Sequence, residues 1–93
     1  MSRGLSRVPR NWAERGFTCA VSEDPPGQVW PDFMHDVDEL MMPIEGTLEL
    51  TYLGVTLCPA PGEELLIPAR ARYTVRNVGG TTARWYYGYR QAG

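Results

Sequence analysis

A histidine and a carboxylate four residues apart, His35 and Glu39, are the side chains in this sequence whose types and spacing can do chemistry. His35 is the single histidine among 93 residues. Imidazole and carboxylate are the groups that most often move a proton near neutral pH or hold a divalent metal. Both lie in the stretch Asp32 to Gly46, DFMHDVDELMMPIEG, with five of the eleven acidic side chains and three of the four methionines. Read as extended backbone bounded by prolines and a glycine, this stretch places Phe33, His35, Val37, Glu39 and Met41 on one face. On that face His35 and Glu39 can converge on one bound atom.

The elements that must position this pair read as strands. Ten glycines and eight prolines fall as punctuation between short apolar runs, a pattern of an all-β domain. Residues 16–22, GFTCAVS, alternate Phe17, Cys19 and Val21 against Thr18 and Ala20 and form the first expected strand. EDPPG, residues 23–27, is expected to be a turn, because its prolines cannot donate to a ladder. Thr47 to Tyr52 alternates Leu48, Leu50 and Tyr52 against polar partners and is the clearest half-buried strand. Leu53-Gly54 turns it back into Val55 to Cys58. Short strands follow over Glu64 to Ile67 and Tyr73 to Val78. Gly79-Gly80 is expected to make a hairpin into Thr81 to Arg90, where Ala83, Trp85, Tyr87 and Tyr89 share a face. Roughly eight strands with turns every six to ten residues imply a closed or sandwiched antiparallel barrel. Residues 1–15 form an arginine-rich N-terminal arm, with a turn of helix near Asn11 to Arg15 capped by Asn11, and residues 16–93 form the domain. The length supplies one core and no second.

Charge is segregated along the chain. Residues 1–15 carry a balance of +3, residues 16–64 carry ten acids and no base, and residues 65–93 carry five arginines and no acid. Arg70, Arg72, Arg76, Arg84 and Arg90 alternate with apolar residues, as on strands with a solvated face. Pairing of acidic with basic surfaces, within the chain or between subunits, is therefore expected in preference to a nucleic-acid patch. No run approaches membrane-spanning length and residues 1–15 lack the apolar core of a leader. With Cys19 and Cys58 at no metal-site spacing, the expectation is two free, buried thiols in a cytoplasmic protein.

Over about Trp30 to Tyr89 the sequence resembles a small single-domain cupin. The first cupin motif runs histidine, a histidine two on, a glutamate four further and a glycine seven further; Phe33, His35, Glu39 and Gly46 stand at those places. The second runs glycine, proline, glycine, histidine and asparagine; Gly62, Pro68, Arg70, Tyr73 and Asn77 stand there at the same spacing. The resemblance implies a cupin-type antiparallel β-barrel, the double-stranded β-helix or jelly roll. It also implies a divalent metal in the barrel, with Phe33, His35, Glu39 and Tyr73 at the ligand places. Phenylalanine cannot ligate, which leaves His35, Glu39 and, as phenolate or as a pocket-lining phenol, Tyr73. A pocket walled by Phe33, His35, Glu39, Met41 and Tyr73 is expected. Trp85, Tyr87 and Tyr89 read as core or dimer interface, or as an aromatic wall for a flat substrate. Three functions remain open. One is small-molecule binding, with or without the metal; another is a metal-dependent oxygenase or isomerase; the third is an assembly subunit with an inert barrel. A homodimer is expected for each, with neither nucleic acid nor membrane as partner.

Overall fold

The computed structural model describes residues 5–92. A single 3-10 turn, Leu5–Arg7, leads into helix α1 (Val8–Glu14). Eight strands follow: β1 (Ala20–Asp24), β2 (Val29–Phe33), β3 (Glu39–Glu45), β4 (Leu48–Tyr52), β5 (Val55–Leu57), β6 (Leu65–Ile67), β7 (Tyr73–Asn77) and β8 (Ala83–Tyr89). They form two four-stranded antiparallel sheets, in the orders β1-β8-β3-β6 and β2-β7-β4-β5. This is the all-β jelly-roll arrangement expected from the sequence, built as two facing sheets. Met41, Leu48, Leu50, Ile67, Val75 and Trp85 fill the space between them.

Several elements differ from the sequence expectation. The helix starts at Val8, with Pro9 in its first turn, where a missing N–H costs nothing. Arg7 stands at the N-cap without a side-chain bond. Asn11 is no cap; its Oδ1 accepts from Arg15 Nη1 at 2.9 Å. The helix closes on Gly16, at φ 88°, as Gly16 N–H bonds Ala13 O and Phe17 N–H bonds Trp12 O, the glycine-terminated end described for many helices. Val8 and Trp12, one turn apart, pack with Phe17, Leu40 and Met42 into a second apolar cluster on the outer face of the first sheet. A single core was expected; the helix adds a second. It also explains why Glu39–Pro43 is buried without alternation: β3 is covered on both faces.

The first strand lies later than expected, over Ala20–Asp24, while Phe17 makes an isolated bridge to Arg90. Val21 is exposed and Asp24 buried, and the ladder with β8 runs to the Asp24–Ala83 pair, just before Pro25. Gly79-Gly80 makes no hairpin, since β7 and β8 belong to different sheets. That crossing is held by Asn77, whose Nδ2 donates to Asp24 O and Thr81 O and whose Oδ1 accepts from Gly79 N. Asp32 to Gly46 is not one strand either. β2 ends at Phe33, residues 34–38 are a loop, and β3 begins at Glu39. Of the two cysteines, both free, Cys19 is half-buried but Cys58 is exposed.

Segregated charge is spent inside the chain. Arg15 pairs with Glu64, Arg70 with Asp36, Arg72 with Asp32, Arg84 with Glu23 and Glu45, and Arg90 with Asp38. Each joins an arginine of a flank to an acid of the middle. Most of these are exposed and each is worth about 0–1 kcal/mol. Backbones approach closely at Gly88, where a Cβ would meet the Thr18 carbonyl and the Trp12 ring. Gly46, at φ 91°, has Ala83 Cα 2.7 Å from the place of its missing Cβ.

Candidate functional site

The sheets diverge around a cavity of about 240 Å³, lined by Ser22, Trp30, Phe33, His35, Glu39, Tyr73, Trp85, Tyr87 and Tyr89. Phe33, His35, Glu39 and Tyr73 therefore meet in one place. Met41 does not line the cavity. It is fully buried in the core between the sheets, two residues and about 7 Å along β3 from Glu39, where it pairs with Tyr87 and Leu65. Val37 is exposed in the loop.

A bulge in β2 brings Trp30 and Phe33 to the cavity together. Residues three apart on a regular strand face opposite ways, but the pairing of β2 with β7 shifts register between Trp30 and Phe33. Pro31 offers no ladder donor. Asp32 adopts φ 56° and bonds through its N–H to Thr74 Oγ1 at 3.0 Å. The Trp30 and Phe33 rings then sit 6.0 Å apart. Asp32 itself points outward to Arg72 at 3.8 Å and is no part of the site. The loop carrying His35 is tied down by backbone. Arg70 N–H donates to His35 O at 2.7 Å, and Asp38 accepts from Ala69 N–H through Oδ1 and from Arg90 N–H through its carbonyl. Arg70 takes φ 68°, the left-handed backbone suited to the motif's glycine. Its side chain is exposed toward Asp36, away from the cavity lining.

His35 Nε2 and Tyr73 Oη are 3.0 Å apart, sharing a hydrogen bond, and His35 Nε2 stands 4.0 Å from Glu39 Oε1. Glu39 is 2% exposed, and its Oε1 has no hydrogen-bond partner. Burial raises its carboxyl pKa to about 7, against the opposing pull of the Tyr73 hydroxyl. Burial, and after it the Glu39 carboxylate, pushes the Tyr73 phenol far above its ordinary range. The same causes push Tyr89 up to about 12.

The raised Glu39 pKa fixes a sign for stability. Below about pH 4.5 the carboxyl is neutral in both folded and unfolded chains and costs nothing. As pH rises from about 4.5 to about 7, the unfolded chain ionises and the folded one resists, so stability falls, and above about 7 the loss is complete. Glu39→Gln is expected to match the parent in urea melts at pH 4 and to be more stable by about 2 kcal/mol at pH 8. An equal gap at both values would show that Glu39 ionisation carries no such cost.

These donors do not make a ready divalent-metal cradle. At about 2.0–2.2 Å from one ion, neighbouring ligands at tetrahedral or octahedral angles lie about 3.0–3.5 Å apart. The 4.0 Å between His35 Nε2 and Glu39 Oε1 exceeds that. Phe33 supplies no donor, and Tyr73 holds its proton tightly. Among the described residues no three of His, Cys, Asp and Glu are grouped to hold a metal ion.

Sequence reasoning missed Asp24. Its buried carboxylate accepts from Ser22 Oγ at 2.7 Å through Oδ1, and from both Trp30 Nε1 and Trp85 Nε1 at 2.9 Å through Oδ2. One carboxylate thus fixes two walls, one from each sheet. The third tryptophan behaves alike: Trp12 Nε1 donates to Glu64 Oε1 at 3.0 Å. The available signal was that a buried indole N–H needs an acceptor. Tyr87 and Tyr89 of β8 complete the wall, with Trp85 and Tyr87 centroids 5.5 Å apart and Tyr89 4.6 Å from His35.

No protein-family model matches the chain, and no curated protein matches it. Solved structures do. The cupin domain of Schizosaccharomyces pombe Cnp3 is similar at TM-score 0.75 and 22% identity, over 85% of this chain and 58% of that one. A Cupin 2 conserved barrel domain protein from Salinispora arenicola gives 0.73 and 21%, over 83% and 65%. An oxalate oxidase in complex with the substrate analogue glycolate gives 0.75 and 23%, over 83% and 43%. The chain has the cupin fold. It is a small cupin-fold protein, spanning less than two thirds of each of these three structures.

Proposed function

We propose that this protein binds a small molecule in the cavity between its sheets. The observation that carries the reading is a buried, unpartnered carboxylate oxygen on Glu39 in a cavity walled by aromatic rings. At about 240 Å³ the cavity is below the roughly 300–1,000 Å³ common for ligand pockets, so the ligand is small. Glycolate, which the oxalate oxidase structure holds, suits this cavity poorly. Its carboxylate would meet Glu39 with no lysine or arginine on the lining. Chemical-shift mapping with a set of small aromatic, hydroxylated and ionic molecules tests the reading. Perturbations centred on Trp30, Phe33, Trp85 and Tyr89 are expected; perturbations elsewhere only would refute it.

A metal-dependent oxygenase or isomerase is the second reading, favoured by the adjacency of His35 and Glu39. It requires those side chains, with Tyr73, to reorient around an ion. Oxygen consumption with small aromatic and keto-acid substrates, after loading with iron or manganese, separates it from simple binding. Free Cys19 and Cys58 support a cytoplasmic location. A homodimer remains our expectation, with helix α1 covering the outer face of the first sheet.

A further inference from the structure

We propose that the cavity takes a small organic cation, a quaternary or fully methylated ammonium ion, held by aromatic faces and the Glu39 carboxylate. The proposal rests on the small-molecule reading above and names the class of ligand.

Three features of the lining converge on positive charge. Six of the nine lining residues are Trp, Tyr or Phe, and the faces of such rings carry negative potential that attracts a cation within about 6 Å. Glu39 adds a formal acid whose Oε1 is buried and meets no donor. A buried acceptor with no partner is a place where a ligand's charge would be matched rather than opposed. The lining has nothing cationic to compete: it holds no lysine or arginine. Arg70, Arg72 and Arg90 are turned to Asp36, Asp32 and Asp38. His35, the one basic side chain on the lining, engages Tyr73 through Nε2 and stands beyond hydrogen-bond reach of Glu39.

Three hydrogen-bond donors of the walls are already spent. Trp30 Nε1, Trp85 Nε1 and Ser22 Oγ all donate to Asp24, which leaves those two indoles only their ring surfaces to offer. An anion would find few donors and a carboxylate. A sugar-like molecule would find few donors as well. A methylated ammonium needs no hydrogen bond, carries diffuse charge over apolar methyl groups, and matches ring faces and an acid together. Asp24 is not a second anionic anchor, because three donors already satisfy its carboxylate.

Tetramethylammonium and choline are the probes, with 3,3-dimethylbutan-1-ol as the uncharged isostere of choline. Binding is read by quenching of tryptophan fluorescence and by calorimetry on the full chain. Choline is expected to bind about 10-fold or more tighter than the alcohol. Glu39→Gln is expected to weaken choline by about 10-fold and to leave the alcohol within about 3-fold. Trp85→Phe, which keeps an aromatic ring, retains preference for the cation. Equal or tighter binding of the alcohol overturns the proposal, as does a Glu39→Gln variant with unchanged choline affinity. If uncharged aromatic molecules bind in the cavity and neither cation does, the class is wrong while the small-molecule reading stands. If nothing binds there, both fall.

Discussion

Asp24→Ala is expected to cost about 4 kcal/mol of stability and to abolish ligand binding in the cavity. The carboxylate receives three hydrogen bonds, two of them on one oxygen from indoles of opposite sheets. Bonds to a charged acceptor contribute about 1.5–3 kcal/mol each, and a buried donor left alone costs about 1–3 kcal/mol. Trp85 is buried and would be stranded; Trp30 lies 37% exposed and can turn to water, so the losses do not simply add. Against a total of about 5–15 kcal/mol for a domain, such a loss takes a large share of the fold. Asp24→Asn separates charge from geometry. With its amide oxygen in the place of Oδ2 it keeps both indole bonds, and Ser22 Oγ can accept from the amide nitrogen. It is expected to cost about 1 kcal/mol and to retain the near-ultraviolet signature of ordered tryptophans. Urea melts followed by fluorescence measure both. Equal losses in the two variants would mean that the negative charge itself holds the walls.

The second large effect is a gain. Phe33→His combined with Tyr73→His is expected to raise affinity for zinc, nickel or manganese by about 1,000-fold or more. The two rings flank His35, with centroids 6.5 and 5.9 Å from its own. They therefore stand where two further imidazoles would join His35 and Glu39. The parent is expected to retain no stoichiometric metal after dialysis, and the double variant about one ion per chain. Elemental analysis and calorimetry decide it. A double variant that stays empty would mean that the bulge at Pro31 and Asp32 has carried position 33 out of ligating reach.

Much of the fold was legible because alternation is a direct imprint of burial. Leu48 and Leu50 of β4 are fully buried, as their spacing requires. The motif spacing likewise brought Phe33, His35, Glu39 and Tyr73 to one neighbourhood, although the intervening chain is a loop and no single strand carries the pair. What escaped was whatever depends on a third element. Trp30 reaches the cavity only because the bulge flips strand parity, and a parity argument cannot see a bulge. Asp24 sits before two prolines and reads as turn; only the distant indoles reveal it as an anchor. The helix was understated because Val8 and Trp12 are too few for a helical period and acquire meaning only against Leu40, Met42 and Phe17.

Helix α1 also bears on how copies of this chain can meet. Val8 and Trp12 occupy the middle of the outer face of the β1-β8-β3-β6 sheet. While the helix is docked, that face cannot stack on its own image. Val21 and Leu66 flank it, exposed, on the two edge strands. Self-association must then run along those edges or through the other sheet, where Val29 and Val55 are exposed. A dimer of this protein would accordingly join its subunits by a geometry that the docked helix constrains.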